Sequence, residues 1–421
     1  MKAAPEGAPQ KMEGRASSPT LPLEGVRVLD LTTVIMGPYA SHILADLGAD
    51  VIKIESPEGD LIRHYHPHRS EGMSGVFLNL HRNKRSIVLD LKREPDRAAF
   101  TRLLATADVF LHNLRPGPIS RLGFDYERVS ALNPRLIYCA ARGFSERGPY
   151  RDKAAYDDLI QAGSGIAALF TSLSGEPAYV PTVLCDKLAA QAIVYAILAA
   201  LFARERDGKG RAIEVPMFET AIAFTLVEHD TGSAFIPPLG PAGFGRLLNP
   251  RRKPYRTRNG YACILPYTDR NWLDFYEFTG RREFVGDPRF ERLAERVKHI
   301  DVLYAMIEEE APKRTTEEWV AFCDRVSIPC MPVLSLDDLP YDPHLQAIGF
   351  FTEAEHPSEG RYRLIADPVR FSDTPSFLRR HAPRLGEHTE EVLREAGVDE
   401  ALLAAVLARP KEEDRPERGS V

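Results

Sequence analysis

Short apolar runs alternate along the first half of the chain with stretches whose apolar residues recur at helical spacing. VRVLDL (26–31), VIKIE (51–55), SIVLDL (86–91), DVFLHN (108–113) and RLIYCAA (135–141) have the length and β-branched or aliphatic content of buried strands. Between them, PYASHILADLGA (38–49) and PDRAAFTRLLATA (95–107) read as helices, with Pro38 suited to a first turn and Gly48 to an end. Alternating strands and helices predict an α/β fold: a parallel sheet with helices on its faces. Its ligand is expected beyond the strand ends. The loop after the first strand, LTTVIMGPYA, has no GxGxxG, so a dinucleotide fingerprint is absent.

The most apolar stretch lies in PTVLCDKLAAQAIVYAILAALFARERDGKGR (181–211). Its uninterrupted part, Leu188 to Ala203, falls short of the roughly 20 residues that cross a bilayer, and predicts a buried helix over 184–203. Asp186 stands at the start and Gly208 beyond the end. AIEVPMFETAIAF (212–224) reads as a strand passing into a helix. Gly, Pro, Arg and Lys then crowd into 231–260, the composition of a crossing segment or lid. YACILP (261–266) is a strand, and 271–326 is mainly helical, with a capping box in TTEE that pairs Thr315 or Thr316 with Glu318. After a strand-and-turn region the chain ends in two helical patterns, 389–397 and 399–408. The expected division is a disordered extension (1–20), a large-domain segment (21–225), a linker or lid (226–250), a small domain (251–330), a return segment (331–408) that completes the large domain only by the resemblance given below, and a disordered tail (409–421).

With 421 residues, 44% of them hydrophobic, the chain can bury a large core in two or three domains. A formal net charge of -6 leaves no basic footprint for nucleic acid. Five dispersed cysteines without a CxxC pair read as reduced thiols in a cytoplasmic protein. Neither a secretory signal nor a membrane span is visible.

Several clusters could carry chemistry. Asp186 at a helix start is the pattern of an N-cap; the same geometry would orient a carboxylate nucleophile, ionised at neutral pH with a reference pKa of about 3.9. Lys84, Arg85, Lys92 and Arg93 around one strand suit either a phosphate-bearing ligand or solvated turns. His64, His66 and His68 alternate, but Pro67 interrupts them and no acidic or thiol partner completes a metal shell, so a polar loop is expected and no metal. Arg246, Arg251, Arg252, Lys253, Arg256 and Arg258 read equally as a solvated linker or as a clamp for a carboxylate or for CoA phosphates.

PLEGVRVLDLTTVIMGPYASHILADLGADVIKIESPEGD, NLHRNKRSIVLDLK, HNLRPGPISRLGFDYE, NPRLIYCAARGF, AAYDDLIQAGSG, the 181–219 stretch and LGEHTEEVLREAG, in this order, resemble the family III CoA-transferases. That superfamily includes formyl-CoA:oxalate and carnitine CoA-transferases and the α-methylacyl-CoA racemases. The resemblance implies a Rossmann-like large domain built from both chain ends, a small middle α/β domain and an interlocked homodimer. It makes Asp186 the nucleophile, acylated and then thioesterified by CoA. Ile35, Met36, Leu89, Lys92, Asn113, Leu114, Arg121, Tyr156 and Asp157 become the CoA-binding set. The substrates are an acyl-CoA donor, with succinyl-CoA the expectation, and a carboxylic acid acceptor; no cofactor is held permanently. Ile35 replaces a Gln of the oxalate-type enzymes, Ser56 replaces an Arg, and only Gly240, Gly243 and Gly245 stand where those enzymes carry a glycine run, all of which speaks against oxalate. The racemase branch has a His where this chain has Tyr156, a poor base at neutral pH. Racemase-like chemistry and an inactive CoA-binding homologue are the alternatives.

Overall fold

The computed structural model describes residues 21–372 and 378–408; the expected extension and tail, 1–20 and 409–421, lie outside the described residues. Six strands form one sheet: β1 (Arg27–Leu31), β2 (Asp50–Glu55), β3 (Lys84–Val88), β4 (Val109–His112), β5 (Ile137–Arg142) and β6 (Arg211–Pro216). They lie in the order β3-β2-β1-β4-β5-β6, and every pairing is parallel. This is the doubly wound order whose direction of winding reverses between β1 and β4.

The strands read as apolar runs because both faces are covered. Alternation along each strand sends Val28, Val51, Val109 and Leu111 to one side and Leu29, Ile52 and Phe110 to the other. The first side packs on helices Met36–Asp46, Leu184–Asp207 and Met217–His229. The second packs on Glu94–Thr106 and on the C-terminal helices Thr389–Glu395 and Glu400–Leu407, through Val392, Leu393, Leu403 and Val406. Each such side chain contributes about 1.5–3 kcal/mol by leaving water. The end of the chain thus rejoins the sheet formed by its beginning.

Helix Leu184–Asp207 is longer than its apolar pattern predicts, 24 residues against 184–203. By length and composition it could cross a bilayer, but Ala189, Ala190, Ile193 and Ile197 are buried in the sheet's core. β3 also departs from expectation. It occupies 84–88 rather than 86–91, and its Lys84 and Arg85 are buried. Both are taken up by partners within the fold. Lys84 Nζ reaches Ser41 Oγ at 2.8 Å and Asp30 at 3.5 Å, while Arg85 pairs with Asp50, Glu391 and Glu395. Arg93 pairs with Asp96 and donates to the Ala405 carbonyl, at the far end of the C-terminal helix. The LGEHTEE segment closes this sheet edge: Ser86 N–H donates to His388 Nδ1, His388 N–H to the Ser86 carbonyl and Val88 N–H to Thr389 Oγ1. Covering the open ladder in this way prevents edge-to-edge pairing.

Residues 255–332 hold an antiparallel sheet of β7 (Tyr255–Arg256), β8 (Tyr261–Ile264) and β9 (Cys330–Pro332). Helices Asp269–Thr279, Ile300–Glu310 and Thr316–Val326 bury Trp272, Phe275, Trp319 and Phe322 with it. The capping box forms at Thr315, whose hydroxyl accepts from Glu318 N–H. A hairpin of β10 (Phe351–His356) and β11 (Gly360–Ile365) precedes the return to the large sheet.

Candidate active site

Helix Leu184–Asp207 starts one turn earlier than an Asp186 cap would require. Val183 is its N-cap, without a side-chain cap bond, and Asp186 lies inside the first turn. The free N–H of Asp186 is satisfied by a different carboxylate, Asp157 Oδ1, at 3.0 Å. The cap reading of Asp186 is therefore replaced: Asp157 does the capping, and the Asp186 carboxylate is left to face a cavity. Among the described residues no cation pairs with it.

Asp157 is buried in the first turn of helix Asp157–Gly163. Gln161, one turn on, donates to Asp157 Oδ2 at 2.6 Å, and its amide oxygen accepts Val180 N–H at 2.8 Å. One side chain so ties the carboxylate to the strand of loop that leads into Asp186. Burial, and then the neighbouring Asp157 charge, push the Asp186 carboxyl up from 3.8 to about 7. The value expected from composition alone, about 3.9, is thereby corrected.

The cavity holds about 970 Å³. Asp157, Val183 and Asp186 form one wall, with Tyr156 and Lys187 beside them. Val34 and Ile35, from the loop after β1, face it together with Leu61, Val76 and Leu80; Phe350 and Ile365 close it from the hairpin region. Val34 is a β-branched residue at φ 72, a conformation that costs roughly 1–2 kcal/mol. It is held there by Asp60, whose Oδ1 accepts Val34 N–H at 3.1 Å. Asp60 in turn meets Lys53 at 2.9 Å, and Lys53 also donates to the Thr32 carbonyl at 2.8 Å. Burial would push the Lys53 ammonium down, but Asp60, Asp30 and Glu55 together hold it up. A buried ion pair thus fixes the loop that carries Ile35. Burial takes Lys84 down to about 8 in spite of Asp30.

Most of the lining was missed in the sequence, including three polar residues that pair with one another. His42, Asp46 and Arg82 form a chain in which Arg82 Nε donates to both Asp46 oxygens (3.3 and 3.2 Å), and His42 Nε2 lies 3.5 Å from Asp46 Oδ2. Asn83 completes it at 2.8 Å, and Arg82 Nη1 donates to the Ile365 carbonyl at 2.5 Å. Burial takes His42 down to about 4, so its ring is neutral. The i,i+4 placement of His42 and Asp46 on a predicted helix was the only signal available.

Of the sequence-predicted set, Ile35, Tyr156, Asp157 and Asp186 share this cavity. Met36 is buried in the core beneath helix Met36–Asp46, and Leu89 is buried on the opposite side of the sheet. Lys92 and Arg121 are exposed, Lys92 just beyond β3 and Arg121 in the helix after β4. Asn113 and Leu114 follow β4 directly. The Asn113 amide laces the β1 and β4 loops together, accepting Thr33 N–H at 3.2 Å and donating to the Thr33 carbonyl at 3.0 Å. These six residues follow the carboxyl ends of β1, β3 and β4 in the chain and do not line the Asp186 cavity; β1 and β4 flank the point where winding reverses, whereas β3 is the edge strand. The proposed arginine clamp is not in the cavity either. Arg251 and Lys253 pair with Glu308 at 2.7 Å, and Arg258 with Glu318 at 3.2 Å. His64 bonds to the Glu58 carbonyl at 3.2 Å from the end of a 3-10 helix, Leu61–His64, rather than from the polar loop expected for it.

Comparison with known proteins gives a consistent match over most of the chain. The family described as CoA-transferase family III matches residues 23–389. Formyl-CoA:oxalate CoA-transferase of Escherichia coli O6:H1 is 32% identical over 411 residues, covering 91% of this chain and 98% of that protein. The protein of the same name from Escherichia coli O139:H28 gives the same figures. Among solved structures, a CAIB/BAIF family protein from Brucella suis superposes with a TM-score of 0.76 at 31% identity, covering 90% of this chain and 100% of that one. Rv3272 from M. tuberculosis gives 0.76 at 27% identity, with 88% and 99% covered.

Proposed function

The chain belongs to CoA-transferase family III, and from that premise we propose that it moves CoA between carboxylic acids with Asp186 as the covalent nucleophile. One observation supports the reading: a carboxylate with no paired cation among the described residues faces a large cavity from the first turn of a helix. Its backbone is fixed by Asp157, and its pKa of about 7 leaves it partly ionised near neutrality, yet more basic than an ordinary Asp.

Asp186 attacks the donor thioester carbonyl, forming an acyl–aspartyl anhydride and releasing CoA thiolate. The thiolate attacks the aspartyl carbonyl, the donor acid leaves, and an aspartyl–CoA thioester remains. The acceptor carboxylate displaces CoA from that thioester, giving a second anhydride. The thiolate then attacks the acceptor carbonyl, which yields the new acyl-CoA and restores Asp186. Each step exchanges one activated acyl bond for another, so no external energy source enters. The apolar wall serves by keeping water from the anhydrides. The CoA moiety is assigned to the carboxyl-edge crevice, with Met36, Leu89, Lys92, Asn113, Leu114 and Arg121 around it and Ile35 at the junction with the cavity.

Racemisation is disfavoured by the same geometry. Tyr156 is 69% exposed, and the cavity's histidine, His42, is turned to Asp46 and held near pKa 4, too weak a base for an α-proton. The protein is further proposed to act as an interlocked homodimer in the cytoplasm. Val227 at 84% exposure and Ile236 at 100% are large apolar side chains that a second copy would cover. The arginine cluster suggested a carboxylate or dicarboxylate acceptor beside succinyl-CoA as donor, and with Glu308 and Glu318 pairing three of its members the support for that acceptor clamp is withdrawn.

Incubation with an acyl-CoA, followed by hydroxylamine treatment and peptide mass analysis, tests the reaction. A hydroxylamine-labile adduct on Asp186, lost in Asp186→Ala together with transfer, is the expected result. Transfer at the normal rate by Asp186→Ala would sink the mechanism, and α-proton exchange in D₂O without an adduct would point to a racemase.

A further inference from the structure

Resting on the reading of Asp186 as the acylated nucleophile, the walls of its cavity bear on which acids are exchanged. The space is about 970 Å³, near the top of the range that encloses drug-sized molecules. A formyl or oxalyl group would leave most of it without a partner. Most of the residues assigned to CoA lie elsewhere, so the cavity is free for the acyl side of the thioester. Its wall is built from Val34, Ile35, Ile43, Leu80, Phe350 and Ile365.

The charged groups sharpen the point. Arg82 is the only guanidinium among the lining residues, and it is already bonded to Asp46 and to the Ile365 carbonyl. Lys187 is exposed beside Asp186, and its ammonium is bonded to Thr182 Oγ1 at 2.6 Å. Against these stand Asp157, Asp158 and Asp367, three further carboxylates in the lining. A second carboxylate on the acyl group would therefore meet mostly apolar wall or negative charge, Lys187 at its exposed position being the one lining Lys or Arg not already paired with a carboxylate.

We propose that at least one of the acids this enzyme exchanges is long or bulky, apolar and monocarboxylic, and that its acyl group occupies the cavity bounded by Ile35, Leu80, Phe350 and Ile365. Because transfer is reversible, such an acid, whether donor or acceptor in the cell, enters as its CoA thioester in one direction.

Acetyl-, succinyl- and octanoyl-CoA are compared as donors in single-turnover experiments, following CoA release and the mass adduct on Asp186. Each buried methylene favours binding about fourfold, so octanoyl-CoA is expected to exceed both short donors in second-order rate by roughly 100-fold after partial burial is allowed for. Equal or better use of acetyl- or succinyl-CoA, with the adduct still formed, overturns the substrate class and leaves the transferase reading standing. No adduct from any donor overturns both. A second arm uses Val76→Trp, at a partly exposed position on the cavity rim. The octanoyl-to-acetyl ratio should fall by about tenfold as the space is filled. An unchanged ratio in a folded Val76→Trp protein places the acyl group elsewhere and overturns the proposal.

Discussion

Replacing Asp157 by Asn removes a charge from beside Asp186 while keeping an oxygen that can accept the Asp186 N–H. Two causes raise the Asp186 carboxyl from 3.8 to about 7, burial first and the Asp157 charge second. Removing the lesser cause should take back under half of the rise, or about 1, leaving an apparent pKa of about 6. In the proposed mechanism only ionised Asp186 attacks, so the rate should follow the deprotonated fraction. At pH 6 that fraction rises from about a tenth to about a half, a roughly fivefold faster first step, whereas well above pH 8 the two proteins converge. Rapid-quench measurement of CoA release in a single turnover, across a pH series, reads both the midpoint and the plateau. A midpoint that stays near 7 or moves upward would refute the idea that Asp157 tunes Asp186 through its charge. So would a plateau that collapses in Asp157→Asn, because then the carboxylate matters for position alone.

The raised Asp186 pKa also has a cost in stability. A carboxyl whose folded pKa exceeds its unfolded value loses stability as pH rises, from about 4 until ionisation is complete above about 7. Asp186→Asn should therefore stabilise the protein at pH 8 by about 2 kcal/mol, discounted for partial exposure, and by almost nothing at pH 4; urea titration at the two pH values checks it. Lys53→Met leaves Asp60 buried without its cation, while Asp30 keeps Lys84, and should destabilise the fold by about 3–5 kcal/mol in the same assay, by breaking the pair that fixes the Val34 loop. A Cβ on Gly210 would lie 2.2 Å from the Leu136 carbonyl oxygen, on backbone that cannot turn aside. Gly210→Ala should lower stability by about 1–3 kcal/mol, visible as a drop in Tm.

The sheet was legible because its strands are buried on both faces, so that pattern and environment coincide. It failed at β3, where the pattern begins with Lys84 and Arg85. Those two charges look like turn residues until Asp30, Asp50, Glu391 and Glu395 are brought to them by the fold. The arginine cluster misled in the same way, since Glu308 and Glu318 reach it from helices much further along the chain. In each case the sequence shows one charge of a pair, and whether that charge is solvated, paired or ligand-binding depends on a partner distant in sequence.

The site obeys the same logic. Asp186 could be singled out by its place before an apolar helix, but not told from a cap, because both roles put a carboxylate at a helix start. What separates them is the owner of the bond to the first-turn N–H, and that owner is Asp157, brought in by Gln161 and the 180–182 backbone. Once Asp157 caps the helix, Asp186 is released from that duty and burdened with a like charge, and both changes follow from a single hydrogen bond. A carboxylate poised near neutral pH, as the proposed mechanism needs, is thus a property of two helix starts meeting. The residues that decide it could be read in the chain, but their meeting could not.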